Sequence, residues 1–126
     1  MFRLIKIENG RMNVPEPEYL IANAAVAAGV AVALSSGKIV KSATAPTHIT
    51  LGAASAANEK VPCVRIDKDQ VYEVATSEAI SGVNVGDKVT LDTNADKVTK
   101  TTTSGIATIV SLEGASEAGD TVLVRF

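Results

Sequence analysis

Short runs of valine, isoleucine, threonine and leucine recur along this 126-residue chain, each cut off within a few positions by Gly, Asn, Asp or Ser. Runs of that length are too brief for amphipathic helices, and bounded by turn residues they read as strands. The strand candidates are 2–7, 30–34, 39–42, 48–51, 61–66, 71–75, 88–91, 98–101, 106–110 and 121–126. The expected architecture is all-β, a small β-barrel or β-sandwich of short hairpins. One short helix is expected within 77–81. The alanine-rich stretch 18–28 stays open between helix and strand, because alanine favours helix strongly. Pro15 and Pro17 make the stretch before it an extended connector. The expected organisation is an extended N-terminal strand or arm over 1–17, followed by a single barrel-like domain over 18–126.

Apolar residues make up 46% of the chain, but Phe2, Tyr19, Tyr72 and Phe126 are its four aromatics. Nineteen alanines and sixteen valines supply most of the apolar count, so the core is built from small side chains. Base-stacking platforms and sugar-binding surfaces need more aromatics than this. A net charge of −2 gives no electrostatic reason to bind nucleic acid or an anionic membrane. The apolar run 20–34 is 15 residues long, against the ~20 that a membrane span requires. Glu16 and Glu18 precede it where a signal peptide would carry Lys or Arg. It reads as buried protein, with no export signal expected.

Two segments look alike. Gly29-Val30-Ala31-Val32-Ala33-Leu34 turns through Ser35-Ser36-Gly37 into Lys38-Ile39-Val40-Lys41, and Gly86-Asp87-Lys88-Val89-Thr90-Leu91 turns through 92–96 into Lys97-Val98-Thr99-Lys100. Downstream, Val64-Arg65-Ile66 parallels Val124-Arg125-Phe126, with Arg65 24 positions after Lys41 and Arg125 25 after Lys100. The expectation is an internal duplication relating 29–66 to 86–126. The alternative is that alternating hairpins resemble one another by chance.

The halves differ in charge. Between Leu20 and Asn58 only Lys38 and Lys41 are charged, whereas the second half carries acids and bases throughout. Free surfaces normally mix charges of both signs, and interface cores are depleted of them. Part of the charge-poor half is therefore expected to face another chain; a neutral Ser/Thr/Ala surface is the plainer alternative.

Candidate chemistry is sparse. Asp92-Thr93-Asn94-Ala95-Asp96 opens like a calcium loop, but the required Gly and bidentate Glu positions are Lys97 and Thr103. Turn chemistry explains the same residues. One cysteine and one histidine allow no internal disulfide and no zinc cluster. Cys63 and His48 fall in strand-like stretches with no third group to orient a base. They read as a small buried hydrophobe and a polar strand residue. Glu16 and Glu18 read as solvated charges. The singly scattered glycines lack phosphate-loop spacing, and 97–103 reads as an exposed strand whose lysines guard an edge. No catalytic residue, metal site or cofactor is expected.

The hairpin pattern Gly-x-x-Val-x-Leu followed by Lys-x-Val, then Gly105-Ile106-Ala107 and the closing Gly119-Asp120-Thr121-Val122-Leu123-Val124, resembles the small head-decoration proteins of tailed bacteriophages, also called capsid cement or stabilisation proteins. The resemblance covers roughly residues 26–126 and rests on hairpin chemistry. It implies a β-rich, non-enzymatic virion protein made in the bacterial host cytoplasm. Such a protein docks on the capsid surface, has the major capsid protein as partner, and is often a dimer or trimer. Nucleic acid and membrane are not among the expected partners. The candidate partner interface is Phe2, Leu4, Ile5, Ile7, Tyr19, Leu20 and Ile21, from a strand able to join a neighbour's sheet and the segment following the prolines. Alternative readings are another phage structural module, in a head fibre or tail, and a small ligand-binding β-barrel, which would need a lined pocket.

Overall fold

The computed structural model describes residues 1–8 and 15–126. Ten strands run in chain order: β1 Arg3–Ile7, β2 Glu18–Ile21, β3 Ala31–Ser35, β4 Lys38–Lys41, β5 His48–Thr50, β6 Lys60–Arg65, β7 Gln70–Ala75, β8 Lys88–Val89, β9 Ala107–Ser111 and β10 Thr121–Arg125. They form two antiparallel five-stranded sheets, one ordered β1-β7-β10-β9-β8 and the other β2-β6-β5-β3-β4. The sheets pack as a small β-sandwich rather than a closed barrel. Buried residues of both sheets, from Val32 and Val61 to Val89 and Val122, belong to one core.

The expected helix within 77–81 and strand over 98–101 need correction, and the open stretch 18–28 is resolved. No helix occurs among the described residues. At 77–81 the Ser77 N–H and hydroxyl both donate to the Val98 carbonyl, at 2.8 and 3.2 Å. That pairing ties the start of the segment to its neighbour, and the main-chain bond that follows, Val83 N–H to Ile80 C=O at 3.4 Å, closes a turn and not a helix. In the alanine-rich stretch, Glu18–Ile21 is strand, because β6 offers a complete ladder from Glu18–Cys63 to Ile21–Lys60. Pairing with a neighbour overrides helix propensity here, as it commonly does. The 98–101 run is also not a strand. Val98 alone bridges, to Leu91 and to Thr76, while Thr90 and Thr99 meet through their hydroxyls at 2.7 Å.

The hydrogen-bond pattern of the first sheet recurs in the second. Gly29 N–H donates to Thr50 C=O and Thr50 N–H to Val30 C=O; Gly86 N–H donates to Ile109 C=O and Ile109 N–H to Asp87 C=O. Both glycines take the left-handed conformation, at φ 72° and 93°, which admits glycine without strain. Ala22 receives a bond from Asn58 N–H and donates to Glu59 C=O, as Thr76 does with Gly119 and Asp120. Ala22 bridges Ile39 in parallel, and Thr76 bridges Val98 in parallel. Thus β2, β3, β5 and β6 correspond to β7, β8, β9 and β10, with Ile39 of β4 matched by Val98.

The repeated unit begins earlier than 29 and 86, since it includes β2 and β7. Its register also differs from the sequence match. Val61 pairs with Leu20 and Val122 with Val74, which aligns Cys63-Val64-Arg65 with Val124-Arg125-Phe126. Arg65 therefore corresponds to Phe126. The loops between the matched strands differ in length, so counting from Lys41 and Lys100 gives a different alignment.

Among the described residues strand β1 has no counterpart in the first unit. It pairs with β7 from Arg3–Glu73 to Ile7–Gln70, and Phe2, 3% exposed, closes an aromatic cluster with Tyr72 and Phe126. Ring centroids lie 5.4 Å apart for Phe2–Phe126 and 6.3 Å apart for Phe2–Tyr72, the range in which tilted and edge-to-face aromatic pairs attract. Residues 1–8 of the expected arm are thus woven into a sheet; 9–14 lie outside the described residues.

Candidate docking surface

One edge strand of the charge-poor sheet is β2, and its geometry follows from its pairing with β6. Ala22 N–H donates to Glu59 C=O, so Leu20 and Glu18, two and four residues earlier, also direct their main chains at β6. Tyr19 and Ile21 direct theirs away from it, by the alternation of an antiparallel ladder. Opposite Tyr19 stands Pro62, which has no N–H to offer and gives its carbonyl to Leu51 N–H at 2.7 Å. Tyr19, Pro62 and Leu51 therefore sit in a row across β2, β6 and the end of β5, on one face of the sheet. Tyr19 is 66% exposed and Leu51 48%. Gly52 lies beside this row, where an added Cβ would come within 3.0 Å of the Pro62 ring.

On the opposite face, at the same end of β2, Glu18 joins β2 to the centre of the sheet. One carboxylate oxygen accepts from Arg65 Nη2 at 3.0 Å, and the other meets His48 Nε2 at 2.6 Å. His48 Nδ1 lies 2.8 Å from the Thr47 hydroxyl. Both ring nitrogens have a partner within the chain. Hydrogen bonds from His48 first, then Arg65, hold the Glu18 carboxyl below its ordinary range. Thr47, His48 and Glu18 thus line up in the order of a hydroxyl, a base and an orienting acid. The His48 ring is 0% exposed, so no leaving group can reach it to take up a proton, a step that acyl transfer requires.

By the correspondence between units, Glu18 and Arg65 occupy the places of Tyr72 and Phe126, and His48 that of Ala107. Where β1 covers the end of a sheet, Glu18 and Arg65 are matched by aromatic side chains, Tyr72 buried and Phe126 partly buried. Where no described strand covers it, the positions are ionic. The outer face reverses this relation: the counterpart of exposed Tyr19 is Glu73, ion-paired at 2.6 Å with Arg3 of β1.

The seven candidate interface residues fall on two separate edges. Phe2 is core, and Leu4 packs partly buried against it. Ile5 is 41% exposed and Ile7 is half-buried, both on β1. On β2, Tyr19 projects outward, Leu20 packs against the core and Ile21 is half-buried. Sequence reasoning did not single out Leu51, Pro62 or Leu34; the last is 48% exposed at the end of β3. The available signal was charge depletion over 20–58, which marks a region without identifying its outward side chains.

The remaining candidates are placed as follows. Cys63 is buried, and burial, reinforced by the Glu18 charge, pushes its thiol up to about 11. Asp92 uses one carboxylate oxygen to accept from the N–H groups of Asp96 and Lys97, each at 3.1 Å, and so ties its own turn. No group of three or more His, Cys, Asp or Glu among the described residues is arranged to hold a metal ion. A groove of about 330 Å³ runs beside β4, lined by Asn23, Val26, Val32, Ile39 and Lys41 among others. Models of known protein families and characterised proteins give no match to this chain.

Proposed function

We propose that this protein is a non-enzymatic structural component of a phage virion that docks on the outside of the capsid and stabilises it by bridging major capsid protein subunits. The observation that carries this reading is the asymmetry between two units of like topology. One carries charges of both signs along its length, with ion pairs at Arg3–Glu73 and Lys100–Glu78 and one large exposed apolar residue, Val85, while the ion pair Glu18–Arg65 of the other lies outside its charge-poor stretch. The other exposes Leu34 and Leu51 within residues 20–58, whose charges are two lysines, with exposed Tyr19 at the border of that stretch. Apolar side chains in a charge-depleted region are what a docked surface carries at its centre. A protein that bridges shell subunits gains from symmetry, since each added copy repeats the same contact around the shell.

Co-sedimentation with expanded phage shells tests the proposal. Saturable binding to expanded shells and none to unexpanded ones is the expected result. Replacement of Leu51 by lysine is expected to weaken binding at least tenfold, because it places a charge in the apolar row. A protein that ignores both kinds of shell would overturn the reading, as would a Leu51→Lys variant that binds with full affinity.

A further inference from the structure

We infer that β2 is a self-complementary docking edge, through which two copies of this chain join their charge-poor sheets as antiparallel strands about a two-fold axis at Tyr19. This stands apart from the capsid reading: it concerns the free protein, and the failure of either leaves the other intact.

The argument is one of donors and acceptors. Along the outward side of β2, Tyr19 presents an N–H and a C=O, and among the described residues the pairings of β2 are the ladder with β6 and the bridge of the following Ala22 to Ile39. Ile21 presents an N–H; beyond it the edge is occupied, since Ala22 bridges Ile39 and Asn23 N–H donates to the Ile39 carbonyl. The geometry of that parallel bridge also engages the Ile21 carbonyl. Before Tyr19, Pro17 presents a carbonyl on this side and has no N–H. The edge therefore reads, from its start, acceptor only, donor and acceptor, donor only.

That pattern is its own complement when reversed. With Tyr19 opposite Tyr19 of a second copy, the two residues exchange both main-chain bonds, and each Ile21 N–H meets the Pro17 carbonyl of the other copy. Four hydrogen bonds form and no outward donor is left over. Shifting the dyad by one residue breaks the match. With Leu20 opposite Leu20, the Tyr19 N–H meets an Ile21 carbonyl already engaged. With Glu18 opposite Glu18, the Tyr19 carbonyl meets a proline. A main-chain donor or acceptor closed off without a partner is costly, so the register is fixed by chemistry.

Side chains agree with this register. The two Tyr19 rings, each 66% exposed alone, become cross-strand neighbours backed by Pro62, and aromatic cross-strand pairs stabilise sheets. On the other face Glu18 lies opposite Leu20 of the second copy, so like charges are not directly opposed. Glu18 is moreover already paired within its own chain by Arg65 and His48. In the second unit the corresponding edge, that of β7, is occupied by β1, so this fold already accepts an antiparallel strand at that position.

Cysteine substitution reads the register directly. Opposed residues of a hydrogen-bonded antiparallel pair have Cα atoms about 5.5 Å apart, within disulfide reach. The two copies of residue 21 are four positions out of register, about 13 Å apart. Tyr19→Cys and Ile21→Cys proteins are oxidised, and each dimer-forming rate is divided by that variant's rate with a small soluble disulfide. Tyr19→Cys is expected to dimerise at least tenfold faster than Ile21→Cys. Adding Ile21→Pro, which removes an outward N–H and no bond to β6, is expected to slow Tyr19→Cys severalfold, with unchanged circular dichroism confirming the fold. Wild-type protein is expected to show dimer by sedimentation at about 1 mM, the range for a contact worth about 4 kcal/mol. Equal rates for the two cysteine variants, or a wild-type protein wholly monomeric at that concentration, would overturn the inference.

Discussion

Truncating Phe2 to alanine separates a docked N-terminal strand from a free arm. The ring is 3% exposed and touches both Tyr72 and Phe126, and Phe2 N–H donates to the Gly29 carbonyl at 2.7 Å. A buried Phe→Ala change costs roughly 3–5 kcal/mol from lost transfer energy and the residual cavity. The main-chain bond to Gly29 survives the substitution, so the lower end applies, about 3 kcal/mol. For a domain of this length each kcal/mol lowers the melting temperature by about 3–4 °C, so the expected fall is about 10 °C. Urea unfolding followed by tyrosine fluorescence measures the free energy, and calorimetry the temperature. Ile5→Ala, on the same strand but exposed, serves as the control and is expected to change stability by less than about 0.5 kcal/mol. A Phe2→Ala loss below about 1 kcal/mol would refute the reasoning, because a ring that leaves no cavity was never part of the core.

Gly105→Ala is expected to cost about 3 kcal/mol in the same urea assay, since an added Cβ would lie 2.0 Å from the Lys88 carbonyl oxygen and force β8 from β9; a change under 1 kcal/mol contradicts that packing. Glu18, Glu59 and Asp120 all have folded-state pKa values lowered below 4.5, 4.5 and 3.8 by hydrogen bonds. Their stabilisation is therefore complete above those values and lost as pH falls through the lowered ones. The urea midpoint should accordingly fall on acidification below about pH 4.5, and less steeply in Glu18→Gln, so identical acid slopes would count against the His48–Glu18–Arg65 network. Cys63, its thiol held near 11 by burial, is expected to react with an aromatic disulfide at pH 8 only on unfolding; fast labelling of native protein would show the site to be open.

The two-unit arrangement explains why one fold carries two such different surfaces. Both units have the same four-strand ladder, and the addition of β1 to one of them changes what its edge positions require. A covered edge wants apolar groups inside, Tyr72 and Phe126, and can place an ion pair outside, Glu73 with Arg3. An uncovered edge keeps Glu18 and Arg65 hydrated on one side and leaves Tyr19 exposed on the other.

Much of the fold could be read from the chain alone. Short apolar runs punctuated by turn residues specify strands locally, because the turn signal and the alternation are both near-neighbour properties; nine of the ten proposed runs contain an observed strand. The likeness of the two hairpins was legible for the same reason, as was the scarcity of charge between 20 and 58. What the sequence by itself could not determine was every feature that depends on a distant partner. Glu18–Ile21 is a strand because β6 pairs with it, and Val98 forms isolated bridges because its N–H goes to Ala75 C=O and its C=O to Ser77 N–H, while Leu91 is met through Lys97 and Thr99. Phe2 became core instead of arm because Tyr72 and Phe126, 70 and more residues away, leave room for its ring. Among the described residues no strand pairs with the start of β2 on its outward side, whereas β1 pairs with β7 of the other sheet. Such outcomes are decided by which main-chain groups and side-chain volumes meet across the fold, and only the tertiary structure brings them together.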